Sequence, residues 1–437
     1  MWRDTGLRTI ICLLVVGLLL ACTGATPALP PTPEPETSGE KVTLRFLWYS
    51  DGGEGEVMRD LLDRYETVNS QVQVELITVP YAELHDTLDA QLASEESVDL
   101  ARITDAGRFR GKYLDLRPYL SNPDGWVTNW PAAVLQSMRT ADDPAALYGF
   151  PSQFTLTGPF INRTLFEQAG VDVPSDKGED ISWAKWVAAL QEVAHKTDTP
   201  YALAIDRSGH RFWSLSLSEC AHYVNSTTGE FIVDSPGFRK VAQQMVIWHQ
   251  VGVMPPEVWV GKDGEYADAG TLFIEGKVPF YLGGSWRIGQ FADEIGDRFV
   301  WDAVPTPVGE CNGTAIPGGA LIVALAETEH PAEVAALVDY LSEERIIAEF
   351  SERSLFLPAH LGLISKGLTY PRHNEVLNTF MAEIPNLQSE AYILQYHPRS
   401  FALNTAIRDE ISAVLAREIT LDQGIKNIQE RLRETEE

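Results

Sequence analysis

The sequence predicts an α/β protein with a mainly parallel, doubly wound sheet, on three observations. From Lys41 onward, alternating apolar segments are followed by stretches with apolar residues at helical spacing, joined by short links. The 437 residues are 44% hydrophobic and 22% charged, an ordinary globular balance that rules out a disordered tail, a collagen or a small disulfide scaffold. Folding a chain of this length buries roughly three-quarters of its unfolded surface, enough for two large lobes or about three domains.

Val42, Leu44, Phe46 and Trp48 alternate as a first strand, and the turn Asp51-Gly52-Gly53-Glu54-Gly55 leads into a helix carrying Val57, Leu61, Tyr65 and Val68. A second strand (Val72, Val74, Leu76) precedes a helix with Tyr81, Leu84, Leu88 and Leu92, and residues 97–104 read as a third strand ending at Asp105. Ligands of open α/β sheets sit beyond the carboxyl ends of strands, which marks Tyr49, Ser50 and Asp105 as candidate cleft residues. A second α/β region begins near Gly149-Phe150-Pro151. It holds a helix with Trp183, Trp186, Leu190 and Val193, and another opened by Ser235 as N-cap and Pro236 at the first helical position. A short strand, Val278 to Leu282, is expected to break at Gly283-Gly284. Residues 330–351 read as helical, and two amphipathic helices close the chain.

Formal charge is −28, with 62 acidic against 34 basic residues, so broad nucleic-acid binding is excluded on electrostatic grounds. At the start, Arg3 and Arg8 precede a 12-residue apolar run, Ile10 to Ala21, of signal-peptide size. It ends in Leu19-Leu20-Ala21-Cys22, which resembles a bacterial lipobox; the alternative is an ordinary signal peptide whose cleavage site abuts a cysteine. The reading is a signal peptide over 1–21, lipidation at Cys22, and a flexible Pro/Thr-rich tether over 22–40. The protein would then be extracytoplasmic and held at the cell membrane by lipid. Cys220 and Cys311 remain, either paired in an oxidising compartment or buried as free thiols.

Several further segments occur in a recognisable order: Val98-Asp99-Leu100 before Asp105-Ala106-Gly107, Tyr113 to Leu120, Tyr148 to Pro151, Phe160 to Gly170, Phe273 to Lys277 before Gly283-Gly284-Ser285-Trp286, and Val304 to Pro307 before Gly318-Gly319. In these the chain resembles the extracellular solute-binding proteins of family 1, which serve ABC importers and include binders of maltose-like sugars and of glycerol phosphate. The resemblance implies a two-lobed periplasmic-binding-protein fold of type II, with a ligand cleft between lobes joined by hinge strands. It assigns 41–149 and 284–345 to the N-terminal lobe and 150–283 and 346–437 to the C-terminal lobe, with crossings near Phe150, Gly283 and Tyr340. The implied partners are a small-molecule carbohydrate and the transmembrane subunits of a permease, for a monomer that carries no cofactor or metal.

Sugar recognition needs aromatic faces for the C–H face of the ring and polar side chains for hydroxyls. Trp48, Tyr49, Tyr81, Trp213, Trp259, Trp286 and Phe356 are candidate faces, whereas Trp183, Trp186 and Trp248 lie on core stripes. Asp105 reads as a ligand carboxylate or a helix N-cap. Gln153 and Thr155 follow the crossover; Ser285, Gly318 and Gly319 are further candidates, and Arg399 is either a cleft arginine or part of a surface salt bridge. A neutral sugar or oligosaccharide is preferred over sn-glycerol 3-phosphate or a glycerophosphodiester, because a strongly acidic chain offers a phosphate no broad attractive field. Enzyme motifs are lacking. There is no His-Glu-x-x-His or Cys-x-x-Cys, Arg287 stands where Gly-x-Ser-x-Gly needs its last glycine, and the Gly52/Gly53/Gly55 turn lacks dinucleotide or Walker spacing. A secreted glycosidase, whose two carboxylates no spacing rule reveals, is the alternative of a different class.

Overall fold

The expected opening strand forms as β1 (Val42–Tyr49), with Leu44, Phe46, Leu47 and Trp48 all buried, so both faces of the sheet are covered. The computed structural model describes residues 41–434 apart from 51, 95–96, 179–180 and 226–227. The expected signal peptide, Cys22 and the tether lie outside the described residues. The helix Glu54–Val68 follows and buries Val57, Met58, Leu61, Leu62 and Tyr65, while Val68, in its last position, turns out to solvent at 76% exposure. β2 (Val72–Val79) and β3 (Leu100–Ile103) both run parallel to β1, completing the predicted unit.

Beyond that unit the sheet is mixed, which corrects the mainly parallel expectation. β4 (Gly149–Asn162), β5 (Ala204–Ile205), β6 (Phe280–Gly284), β7 (Trp301–Ala303) and β8 (Pro317–Ala324) complete the order β2-β1-β3-β8-β4-β6-β5, with β7 also on β4. β8 is antiparallel to β3 and β4, and β6 and β7 are antiparallel to β4. The 14-residue β4 is the long member. Gly149 to Leu156 pairs with β8, and Thr157 to Asn162 pairs with β6 and β7. The register shifts between Pro151 and Gln153, where a proline is tolerated because a bulge needs no ladder donor.

Buried side chains form two cores. The first gathers β1 to β3, residues 320–325 of β8 and its exit, and the helices Pro331–Leu341 and Glu344–Ser354. The second gathers the far half of β4, β5 to β7 and most of the chain after Tyr370. This division moves the expected lobe boundaries. Residues 288–316 belong to the second core, because β6 and β7 pair with β4 beyond its crossing point. Residues 346–350 belong to the first core, because Glu344–Ser354 packs on Glu54–Val68 and ties to it through Arg64–Glu349 at 2.7 Å. The crossing strands are therefore β4 and β8, not the chain at Gly283, where β6 runs on through both glycines. The third crossing lies not near Tyr340 but at Leu357, which bridges Phe154; Leu355 and Leu357 enter the second core and Phe356 the first.

Local signals otherwise act as expected. Ser235 Oγ accepts from Phe238 N ahead of the helix Pro236–Gln250, and Ser182 caps Trp183–Thr197, whose Trp183, Trp186, Leu190 and Val193 are buried. Cys220 and Cys311 form a disulfide with Cα atoms 5.3 Å apart, flanked by a bond from Cys311 N to Ser218 O. The bond joins the end of the helix Gly209–Ser218 to the loop before β8 across a separation of 91 residues. Opening it with Cys220→Ser and Cys311→Ser together should lower unfolding free energy by about 2–5 kcal/mol. Urea melts of parent and variant check this; an unchanged midpoint would show that the bond constrains nothing.

Candidate functional site

A cavity of about 700 Å³ lies between the two cores, within the usual size of small-molecule sites. The first lobe contributes the strand ends and turns that the β1-to-β3 topology predicts: Tyr49, Thr104, Asp105 and Gly107. Tyr81 stands at its mouth, 51% exposed, its ring 5.1 Å from that of Tyr49. Beneath Tyr49 lies Arg102, its guanidinium carbon 4.0 Å from the ring centroid, paired with Glu54 at 2.8 Å; both charges are buried. Asp105 Oδ1 accepts from Gly107 N at 3.0 Å and Arg108 N at 3.3 Å, so the carboxylate both shapes the turn and borders the cavity.

The crossing strands form the floor. Gln153 and Thr155 of β4 face Gly318 and Gly319 of β8 there. Gly319 has φ of +139°, and a Cβ on it would lie 2.2 Å from Gln153 O, so this pair of strands can approach only with glycine. Trp286, packed against the first core at the end of β6, also borders the cavity, with Arg211 of the second lobe over its ring at 4.4 Å.

Five expected residues are not brought there. Ser50 Oγ donates to Gly52 O, closing its own turn. Trp213 is 0% exposed, inside the second core. Ser285 is buried and its Oγ accepts from Leu156 N at 3.1 Å, pinning the end of β6 to β4. Phe356 stacks on Phe350 in the first core. Arg399 turns away, donating to Leu432 O at 2.9 Å and lying over Phe231. The candidate faces Trp48 and Trp259 are also core residues.

The larger surprise is cationic. Arg110, Arg207, Arg211, Arg287 and Arg408 all line the cavity, and none was singled out in the sequence as a ligand contact. Four are held by carboxylates: Arg211 by Asp206 at 3.1 Å, Arg287 by Asp268, Arg408 by Asp409 at 2.8 Å, and Arg207 by Asp409 at 3.6 Å. Arg110 instead donates twice to Ser137 O. On the helix Gly209–Ser218, Arg211 and the expected Trp213 are two positions and therefore about 200° apart, so the core takes the Trp and the cavity the Arg. His210, beside it, is partly buried, and desolvation together with the Arg211 charge lowers its pKa to about 3.

A C-terminal wall, Gln395 to Pro398 with Phe401 and Asn404, flanks the expected Arg399, which is itself the residue that turns away. It belongs to chain packed on the second core but meets the first lobe. The Phe401 ring lies 5.6 Å from that of His85, and a Cβ on Gly107 would sit 2.8 Å from Pro398 O. Two lobes thus meet on both sides of a cavity floored by shared strands.

A family model described as bacterial extracellular solute-binding protein matches residues 49–346. The chain belongs to that family. Among curated relatives of this solute-binding protein is the multiple sugar-binding protein of Streptococcus mutans, 22% identical over 376 residues and matched over 80% of both chains. Among solved structures, the GacH receptor of Streptomyces glaucescens, determined unliganded and with acarbose, superposes with a TM-score of 0.76 at 20% identity, over 90% of this chain and 98% of that one. The maltose/maltodextrin-binding domain MalE of Bdellovibrio bacteriovorus, bound to maltotriose, gives 0.73 at 14% identity, over 90% and 99%. The two-lobed fold is that of these proteins, and the family is one of binders, not of glycosidases.

Two outcomes are expected. Because the folded pKa of His210 lies below its unfolded value, its contribution is complete above about pH 6.5 and is lost as pH falls toward 3, where only the unfolded chain takes up the proton. His210→Gln should flatten the stability profile across that window in urea melts at stepped pH; an unaltered slope would refute the assignment. Gly107→Ala places a methyl against Pro398 O without straining a φ outside the left-handed region. Because a backbone carbonyl must give way, the substitution should lower the ligand-free melting temperature by a few degrees and raise the dissociation constant of whichever ligand closes the lobes; an unchanged melting temperature with equal affinity would mean that the two segments part without cost.

Proposed function

We propose that the chain captures a neutral sugar or oligosaccharide outside the cytoplasm and hands it to the membrane subunits of an ABC importer. The observation that carries this reading is the chemistry of the cavity wall. Tyr81 and Trp286 offer aromatic surface, and most of the surrounding guanidinium groups are already balanced by carboxylates. Such pairs donate and accept hydrogen bonds to hydroxyls without demanding a net charge from the ligand. The phosphate alternative loses its expected anchor, since Arg399 is engaged elsewhere. The ligands named for the relatives, acarbose and maltotriose among them, are of the same class.

The open form would present one half-site on each lobe, and a ligand touching both would shift the population to closed. Moving from about 1:99 to 99:1 takes roughly 5.5 kcal/mol of differential affinity. Flexing of β4 and β8 at the cavity floor would carry the motion, and the closed face would dock on the permease. Residues 1–21 would direct export, Cys22 would carry the lipid, and 22–40 would let a monomeric binding unit range from the membrane surface. The disulfide supports an oxidising compartment.

A thermal-shift screen of residues 41–437 tests the reading, with neutral mono- and oligosaccharides, maltotriose included, against sn-glycerol 3-phosphate. A ligand at 100 times its dissociation constant adds about 2.7 kcal/mol of stability. The expected result is a rise with a neutral saccharide and compaction of the same sample in small-angle scattering. A rise confined to the phosphate would overturn the ligand class, and tight binding without compaction would overturn closure.

A further inference from the structure

One group of side chains beside the cavity is built with more support than its lining position alone requires. Asp206 follows β5 and spends both carboxylate oxygens on it. Oδ1 accepts from the Tyr281 hydroxyl at 2.9 Å, and Oδ2 accepts from Arg211 Nη2 at 3.1 Å. Arg211 in turn lies on the Trp286 indole, 4.4 Å from its centroid. Two glycines make room for this arrangement. A Cβ on Gly283 would meet the Tyr281 hydroxyl at 2.1 Å, and one on Gly284 would meet the Trp286 ring at 1.9 Å, so both aromatic side chains fold back across β6.

Arg211 is only 8% exposed: Nη2 serves Asp206 and Nε is sealed from the cavity, so Nη1 is the donor left to meet a ligand there. A guanidinium that lies over an indole and is tied to Asp206 has little freedom to turn away from the cavity. Its residue borders the cavity, so an acceptor oxygen of a bound ligand is the natural partner. Asp206 already neutralises the charge, which favours a hydroxyl or ring oxygen over a phosphate or carboxylate.

We propose that Arg211 is a ligand-recognition residue that donates to an oxygen of a saccharide resting at the edge of Trp286, and that Asp206, through Tyr281 and Arg211, is the positioning residue that orients this pair. The proposal rests on the saccharide reading for its ligand, but the orientation of Trp286 does not depend on it.

Two measurements separate the parts. The first is calorimetric titration with maltotriose of the parent protein and of Arg211→Met, Arg211→Lys, Asp206→Asn and Tyr281→Phe. The second is acrylamide quenching of Trp286 in the same proteins without ligand, isolated by subtracting the Trp286→Phe version of each. Expected are a rise in dissociation constant of about tenfold or more for both Arg211 variants, a smaller rise for Asp206→Asn and Tyr281→Phe, and stronger Trp286 quenching in Arg211→Met and Asp206→Asn. Tyr281→Phe keeps the buried ring, so it remains informative if Asp206→Asn does not fold; an affinity equal to the parent's would then refute the positioning role. Unchanged affinity in both Arg211 variants would refute the recognition role. Unchanged quenching in Asp206→Asn would refute the positioning role even where affinity falls. If the parent does not bind maltotriose, that result counts against the saccharide reading for this ligand, and quenching alone decides the positioning of Trp286.

Discussion

The antiparallel pair β4 and β8 is the constraint on which the rest of the molecule depends. Each strand has one end in the first core and the other in or next to the second, so the two cores are joined through backbone hydrogen bonds rather than through a tether. That pairing is tight because Gly319 lets β8 lie against Gln153 O, and it leaves the strands' side chains at the floor of the cavity. The surface available to a ligand is therefore set by the same bonds that hold the lobes together. A change in strand geometry there must alter the cavity.

Around this floor, each lobe stiffens its contribution with a buried charge against aromatic rings. In the first lobe, Arg102 pairs with Glu54 and is faced by Trp48 and Tyr49, fixing the end of β1 to the start of the next helix. In the second, Asp206 holds Arg211 on Trp286. Buried ion pairs add little net stability once desolvation is counted, but breaking one is expensive. Their effect here is to restrict where Tyr49 and Trp286 can point. The Cys220–Cys311 bond acts at longer range, tying the far end of the helix that carries Arg211 to the loop that feeds β8.

Much of the fold was legible because it rests on local physics. Alternation from Val42 and helical spacing from Val57 identify the first βαβαβ unit, and Ser235-Pro236 announces a helix start whose cap is observed. Part of the site was legible for the same reason: Tyr49 and Asp105 sit at strand ends, where such sheets place ligands. The failures share a cause as well. Trp213 and Phe356 are residue types suited to sugars, but packing takes both into cores. Arg399 sits between cavity-lining residues, and its neighbour Phe231 and the Leu432 carbonyl draw it the other way.

The α/β class, the order of the elements, most helix starts, the acidic balance and the membership of a binding family can all be read along the chain. Each is written in residue type, near-neighbour spacing or ordered motifs. Which strands cross between lobes, whether Cys220 meets Cys311, and which arginines face the cavity follow from long-range packing alone. Those depend on contacts between residues far apart in the chain, as from Gly107 to Pro398 or Phe154 to Leu357. No local pattern records such contacts, because each partner is chosen by the packing of everything between them.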